Sequence, residues 1–250
     1  MVLKLVLIRH GESEWNLKHE FTGWHDCDLT KKGRIEAKVA GDTLKSHGFI
    51  FDTAHTSLLI RAIHTLWITL DRMQLSWIPI RRNWRLNERH YGGLQGLEKP
   101  EMVKVFGEEQ VRLWRRSWDT KPPELSVDDQ RHSRFDARYQ TLKEDEHPGS
   151  ESLQECVERT LVYWTDVIVP QLREGKRVLI VAHGNSLRGI VKILDQVSKD
   201  DIINLNIPTG VPLVYELDEK NNFRPIKHYY LGNQEEIDKR IEAAKSQAKK

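Results

Sequence analysis

Leu3-Lys4-Leu5-Val6-Leu7-Ile8-Arg9-His10-Gly11 and Val178-Leu179-Ile180-Val181-Ala182-His183-Gly184 are the two stretches that decide the fold. Each is a short, nearly continuous apolar run, and each stops at a His-Gly pair. Such runs suit strands buried on both faces of a parallel sheet. In open α/β sheets, ligands sit beyond the carboxyl ends of the strands. The two His-Gly pairs therefore fall where an anion would bind, and the helix starts after them aim backbone N–H groups at the same place. Glycine after each histidine is expected to let the backbone approach that anion, where a Cβ would obstruct it.

Outward from these strands, helices and strands alternate. Thr30 caps a helix whose apolar positions include Ile35, Val39, Ala40 and Leu44, with Gly48 as terminator. Phe51 to His55 reads as a second strand. Ser57 is expected to cap a helix carrying Ile63, Leu66, Trp67 and Leu70. Ser152 and Glu155 make a capping-box pattern before a stripe of Leu153, Val157, Leu161, Trp164 and Ile168, with Pro170 near its end. Ser186 is expected to cap a helix bearing Leu187, Ile190, Val191 and Leu194. Leu213 to Leu217 and Ile226 to Tyr230 read as late strands. This alternation predicts a three-layer α/β/α fold with a mainly parallel central sheet. Residues 1–232 read as one domain, with the polar, Pro-containing segment 119–150 as a surface excursion near the site. Residues 233–250 are a charged, Lys-rich tail, expected as a fraying helix or a mobile end.

Composition narrows the function. Lys and Arg number 39 against 37 acidic residues, a net charge of +2. That balance argues against a general nucleic-acid binder, so the basic character that matters is expected in one pocket. Arg81-Arg82 and Lys249-Lys250 read as solvated charge. The two cysteines, Cys27 and Cys156, lack the spacing of a zinc site or a disulfide framework. The apolar start is too short for a signal peptide, and no stretch is long enough to cross a bilayer. The expectation is a cytoplasmic, metal-independent protein.

The histidines suggest phosphoryl transfer. A neutral ring nitrogen of His10 can attack a phosphoryl group, dividing the reaction into two easier steps. Charge on the transferring group's oxygens calls for fixed cations. Arg9 is adjacent, Arg61 lies in the first turn of the helix that Ser57 is expected to cap, and His183 would add charge if protonated. A carboxyl group must give a proton to the leaving oxygen and take one from the attacking oxygen. Glu88 is the candidate.

Longer motifs carry a resemblance. Arg9-His10-Gly11-Glu12-Ser13-Glu14-Trp15-Asn16 is similar to the opening signature of the histidine phosphatase superfamily. More narrowly it resembles that of the cofactor-dependent phosphoglycerate mutases. So do the block from Trp84 to Leu94, Trp114-Arg115-Arg116-Ser117, the run from Ala182 to Lys192, and Ile207-Pro208-Thr209-Gly210-Val211-Pro212. The likeness extends from about Leu5 to about Gly232, so the domain is expected to have the phosphoglycerate mutase-like fold. It implies that His10 carries the phosphoryl group and Glu88 the proton. Arg9, Arg61 and His183 would hold the transferred phosphate, helped by Asn16 and Gly184. Arg89, Tyr91, Lys99, Arg115, Arg116 and Asn185 would clamp the rest of the ligand, with Thr22 and Gly23 on the loop after the first motif.

The activity so implied is the interconversion of 3- and 2-phosphoglycerate, primed by 2,3-bisphosphoglycerate, in a homodimer or higher homo-oligomer without nucleic-acid or membrane partners. A hydroxyl residue at Ser13 and the Thr22-Gly23 pair favour the glycolytic branch over the bisphosphoglycerate synthase branch. The alternatives are a synthase or phosphatase on the same scaffold, and a scaffold protein without activity. Two departures stand out. Glu98 and Pro100 flank Lys99, and Pro100 biases Lys99 towards an extended backbone. Only Pro122 and Pro123 follow the Trp-Arg-Arg-Ser motif, where relatives have a longer proline run.

Overall fold

The computed structural model describes residues 2–219 and 223–249, without the side chains of 244–249. The side chains of Lys249 and Lys250, expected as a solvated end, lie outside these. The chain opens with β1 (Val2–Arg9), then a one-turn helix α1 (Glu14–Leu17) and α2 (Lys31–Ser46). β2 (Thr53–Thr56), α3 (Ile60–Met73) and the short β3 (Ile80–Arg82) follow. Next come α4 (Lys99–Phe106) and α5 (Glu108–Arg116). Helix α6 (Leu153–Tyr163) continues through a π-helical segment, Trp164–Ile168, into α7 (Val169–Arg173). The last elements are β4 (Val178–Ala182), α8 (Gly184–Leu194), β5 (Leu213–Asp218), β6 (Arg224–Tyr230) and α9 (Gln234–Lys249).

The six strands form one sheet in the order β3-β2-β4-β1-β5-β6. β3, β2, β4 and β1 are mutually parallel, while β5 pairs antiparallel with both β1 and β6. Alternation along the strands sorts the side chains into two cores. Leu5, Leu7, Val178 and Ile180 face a cluster with Leu187, Ile190 and Ile168. Val6, Ile8, Leu179 and Val181 face the other cluster, with Leu44, Leu66 and Leu70. Helices α6 and α8 thus cover one face and α2 and α3 the other, as the expected three layers.

Local chemistry agrees with the sequence at several ends. Thr30 Oγ1 accepts the Gly33 N–H at 3.0 Å. Ser152 Oγ accepts from Glu155 N at 3.1 Å, and Glu155 Oε2 accepts from Ser152 N at 2.8 Å, a complete capping box. Elsewhere the structure corrects the reading. The second strand begins at Thr53, so Phe51 is buried ahead of it. Helix α3 starts at Ile60 after Leu59, and Ser57 turns instead towards His183. Ser186 lies inside α8, where its Oγ accepts the His183 N–H at 3.3 Å. Lys99 begins α4 instead of lying in extended backbone, with Pro100 in the first turn, where a missing N–H costs nothing.

Ile35 and Val39 are exposed, contrary to their expected place on the packed face of α2. That face is built from Gly33, Ala37, Ala40, Gly41 and Leu44. Small residues bring α2 close to α3: a Cβ on Gly41 would meet Thr69 O at 2.7 Å. Segment 119–150 is largely exposed but anchored by buried Leu125 and Tyr139. Arg81 and Arg82 are exposed. Within the 233–250 stretch, Gln234–Lys249 form α9, held by buried Ile237 and by Arg240, which donates to Thr209 O at 3.3 Å.

Candidate active site

The register of β1 against β4 pairs Arg9 with Ala182, so His10 and His183 each follow at the same edge of the sheet. The His10 N–H donates to Ala182 O at 3.0 Å. The two imidazole centroids stand 4.9 Å apart. Both rings are buried. Burial first, then the Arg61 charge, holds each well below the usual histidine range. Both are therefore neutral at pH 7 without an anion beside them.

His10 Nδ1 lies 2.7 Å from Gly11 O. A carbonyl can only accept, so Nδ1 carries the ring proton and Nε2 keeps its lone pair. His183 Nε2 contacts Ser57 Oγ at 2.7 Å. The glycines after them differ in purpose. A Cβ on Gly11 would meet Gly33 O at 2.3 Å, so packing against the start of α2 requires this glycine. A Cβ on Gly184 would sit 3.6 Å from both Arg9 Nε and Glu88 Oε2, filling space between the two charged groups.

Arg9 donates through Nη1 to Ile207 O at 2.9 Å, while its buried Nε has no partner among the described residues. Arg61 is fully enclosed and donates to Gly23 O at 2.8 Å and His25 O at 2.9 Å, tying down the loop after the first motif. Thr22 on that loop has a buried Oγ1 with no partner among the described residues. Asn16 Oδ1 accepts the Ser13 N–H at 3.2 Å, leaving its Nδ2 for a ligand.

Glu88 is placed by both its backbone and its side chain. Its carbonyl accepts from Trp24 Nε1 at 2.6 Å and Arg159 Nη2 at 2.9 Å. Arg159 is itself fixed by a buried ion pair with Glu151. The carboxylate Oε1 accepts from Arg89 N at 2.8 Å, Asn185 N at 3.2 Å and Asn185 Nδ2 at 2.7 Å.

Facing these groups is a cavity of about 140 Å³. Arg9, His10, Asn16, Thr22, Gly23, Arg61, Glu88, Tyr91, Lys99, Arg115, Arg116, Gly184 and Asn185 all line it. Two residues expected at the site are not among those lining it. The His183 ring is buried 4.9 Å from that of His10, and Arg89 is buried against Tyr91, donating to Tyr91 Oη at 3.1 Å and to the carbonyls of Trp114 and Arg115. The cavity's cations crowd one another. Burial, then Arg115, pushes Lys99 down to about 7. Burial, then Arg115, brings Arg116 to about 10.

Sequence reasoning missed Arg188, Asn206, Arg159 and Glu151. Arg188 lines the cavity although only 4% exposed. Burial, then Arg116, lowers it to about 9. Its place inside the Ala182 to Lys192 motif was the available signal. Asn206, next to the Ile207-Pro208 motif, accepts from Arg116 at 3.2 Å. Nothing in the spacing of Glu151 and Arg159 distinguishes them from a solvated pair. Among the described residues no group of three or more His, Cys, Asp or Glu is gathered as for a metal ion, and Cys27 and Cys156 are buried free thiols.

Comparison with known proteins bears on this geometry. The family model described as histidine phosphatase superfamily (branch 1) matches residues 5–129 and 124–224. Among solved structures, a mycobacterial hydrolase aligns with TM-score 0.68 and 19% identity, over 92% of this chain and 97% of its own. A mycobacterial glucosyl-3-phosphoglycerate phosphatase aligns with TM-score 0.67 and 19% identity, over 91% and 97%. A putative alpha-ribazole-5'-P phosphatase from Escherichia coli K-12 gives 0.66 and 20%, over 94% and 98%. These likenesses establish the shared fold.

Proposed function

The chain belongs to the histidine phosphatase superfamily, and from that premise we propose that it interconverts 3-phosphoglycerate and 2-phosphoglycerate through phospho-His10 and a 2,3-bisphosphoglycerate intermediate. The observation that supports this reading best is a second set of cations. Lys99, Arg115, Arg116 and Arg188 line the same cavity as His10 and Glu88. Hydrolysis of a simple monoester needs one anion site. The mutase intermediate carries two phosphates and a carboxylate, and it must stay bound while it turns round. A second set of cations in one small cavity suits that requirement. The priming molecule has the same anions, and buried Arg9 Nε and Thr22 Oγ1 are donors it would satisfy.

In this reading, neutral His10 attacks phosphorus through Nε2, and the bond to the leaving oxygen breaks as Glu88 supplies its proton. Arg9, Arg61 and the start of α8, with Asn16 and Gly184, hold the transferring oxygens; fixed donors of this kind are the main electrostatic contribution to such transfers. As the phosphoryl anion arrives, it opposes the effect of the neighbouring arginines and favours a proton on His183. Glu88 then takes the proton of the 2-hydroxyl of an incoming 3-phosphoglycerate as that oxygen attacks phospho-His10 and frees the ring, giving 2,3-bisphosphoglycerate. The intermediate turns round, His10 attacks its 3-phosphate, and Glu88 returns the proton to the 3-oxygen, leaving 2-phosphoglycerate and phospho-His10. Tyr91, Lys99, Arg115, Arg116 and Asn185, with Thr22 and Gly23, keep the ligand from leaving, and Arg89 supports Tyr91. A homodimer or higher homo-oligomer, in the cytoplasm, belongs to the same proposal. No helix among the described residues is long and apolar enough to cross a membrane.

The test follows 2-phosphoglycerate formed from 3-phosphoglycerate in EDTA, with and without catalytic 2,3-bisphosphoglycerate. Primer-dependent, chelator-resistant product is the expected result. Inorganic phosphate without 2-phosphoglycerate would move the reading to a phosphatase on the same scaffold, the activity that the names of two structural neighbours carry.

A further inference from the structure

Glu88 presents its two carboxylate oxygens to different surroundings. Oε1 accepts three N–H bonds, from Arg89 N, Asn185 N and Asn185 Nδ2. An oxygen already facing three donors has no room for a proton of its own, so the exchangeable proton is directed to Oε2. That arrangement depends on which way the Asn185 carboxamide points. Its Nδ2 reaches Glu88 at 2.7 Å, and its Oδ1 accepts from Arg188 Nη1 at 2.9 Å. Turned over, the amide would set its oxygen against Oε1 and its NH₂ against a guanidinium, an unfavourable contact at both ends. Arg188 is anchored in turn, because its Nη2 donates to Ile202 O and the side chain is buried. It always carries donors and never an acceptor.

We propose that Arg188 is a positioning residue for proton transfer: it fixes the Asn185 carboxamide so that Glu88 Oε1 is a permanent acceptor and Oε2 is the atom that gives and takes the proton. Asn185 thereby serves Glu88 as well as the ligand that it lines. The inference rests on Glu88 being the proton carrier of the proposed function, and its atomic consequence is open to measurement without any turnover.

The experiment follows the Asn185 side-chain amide by ¹⁵N NMR in full-length protein at pH 7, free of ligand. In the wild type one Nδ2 proton should lie downfield through its bond to Glu88 Oε1, and in Glu88→Ala that displacement should vanish. A wild-type Asn185 amide that does not respond to Glu88→Ala overturns the proposal, whether or not any Arg188 variant folds. In Arg188→Met, which loses the donor, the displacement should be largely lost. The kcat of phospho-His10 hydrolysis should fall with it, while KM changes less. Arg188→Gln keeps a donor for Asn185 Oδ1 without the charge, and should restore most of the wild-type displacement. If Arg188→Gln behaves as Arg188→Met, the charge alone matters and the positioning role is refuted. Absence of mutase activity alongside the expected amide signals would reject the proposed function and leave the Arg188–Asn185–Glu88 arrangement standing.

Discussion

The imidazoles of His10 and His183 lie 4.9 Å apart at the ends of adjacent parallel strands, and only His10 has its ring proton held by a carbonyl. The two rings therefore have unequal tasks. His10→Ala should abolish the acid-labile phosphoenzyme. His183→Ala should still form it, slowed by roughly 10²–10³-fold, the usual cost of removing one transition-state donor. Rapid-quench labelling from ³²P-labelled bisphosphoglycerate measures both, and undiminished phosphorylation of His10→Ala would show another nucleophile.

Lys99 is held down to about 7 by burial and by its arginine neighbours. It is charged below that pH and increasingly neutral above it. An anion favours the charged form, so anion binding should draw in a proton near neutral pH and weaken as pH rises past 7. The loss approaches about tenfold per pH unit. Sulfate inhibition is a suitable measurement, because sulfate keeps its charge across this range. Lys99→Met should bind more weakly at pH 6.5 and show a flatter pH dependence.

His55 is enclosed between Tyr163 Oη and Gln171 Oε1, each 2.9 Å away, and burial takes it to about 4. An unfolded histidine titrates near 6.5. Below that pH the unfolded chain binds the extra proton, so this contribution to stability is complete above about 6.5 and is lost as pH falls through 4. It amounts to about 3 kcal/mol. Urea unfolding at stepped pH should show the decline, and His55→Gln should have a shallower slope over the same window despite lower stability at pH 7.5.

Gly11 and Gly184 both follow a histidine, yet alanine should affect them differently. At Gly11 a Cβ would strike backbone at 2.3 Å, and Gly11→Ala should cost about 1–3 kcal/mol of stability. At Gly184 the nearest atoms are 3.6 Å away, so Gly184→Ala should fold with little loss but place a methyl group between Arg9 and Glu88. Its turnover should fall while its melting temperature hardly moves. Thermal unfolding alongside turnover separates the two cases.

These contrasts show how far the sequence could be read. Strands β1 and β4 were legible because both of their faces are buried, which leaves an unbroken apolar run. Thr30 and Ser152 were legible because their hydroxyls make the local bonds their spacing suggests. Ser57 and Ser186 also accept local N–H groups, but neither stands at the cap position, and distant partners share their side chains. Ile35 and Val39 misled because the contact between α2 and α3 is set by Gly41 and its small neighbours, and hydrophobic periodicity gives glycine no weight. The histidines, Glu88 and the arginine clusters were nameable from motifs. Which oxygen of Glu88 is saturated, and that Arg89 is buried against Tyr91, depends on contacts between residues far apart in the chain.

Strand β4 lies between β1 and β2, although it is made long after both. On a growing chain, β1 and β2 can find their shared neighbour only once residue 182 has emerged. Until then each has an open edge, and the pairings they need are among the most distant in the sequence, the kind that form slowly. The same late strand delivers His183 and the start of α8. Closure of the sheet and assembly of the phosphate-binding end are therefore one event, and a nascent chain short of that point has neither a finished core nor a competent site.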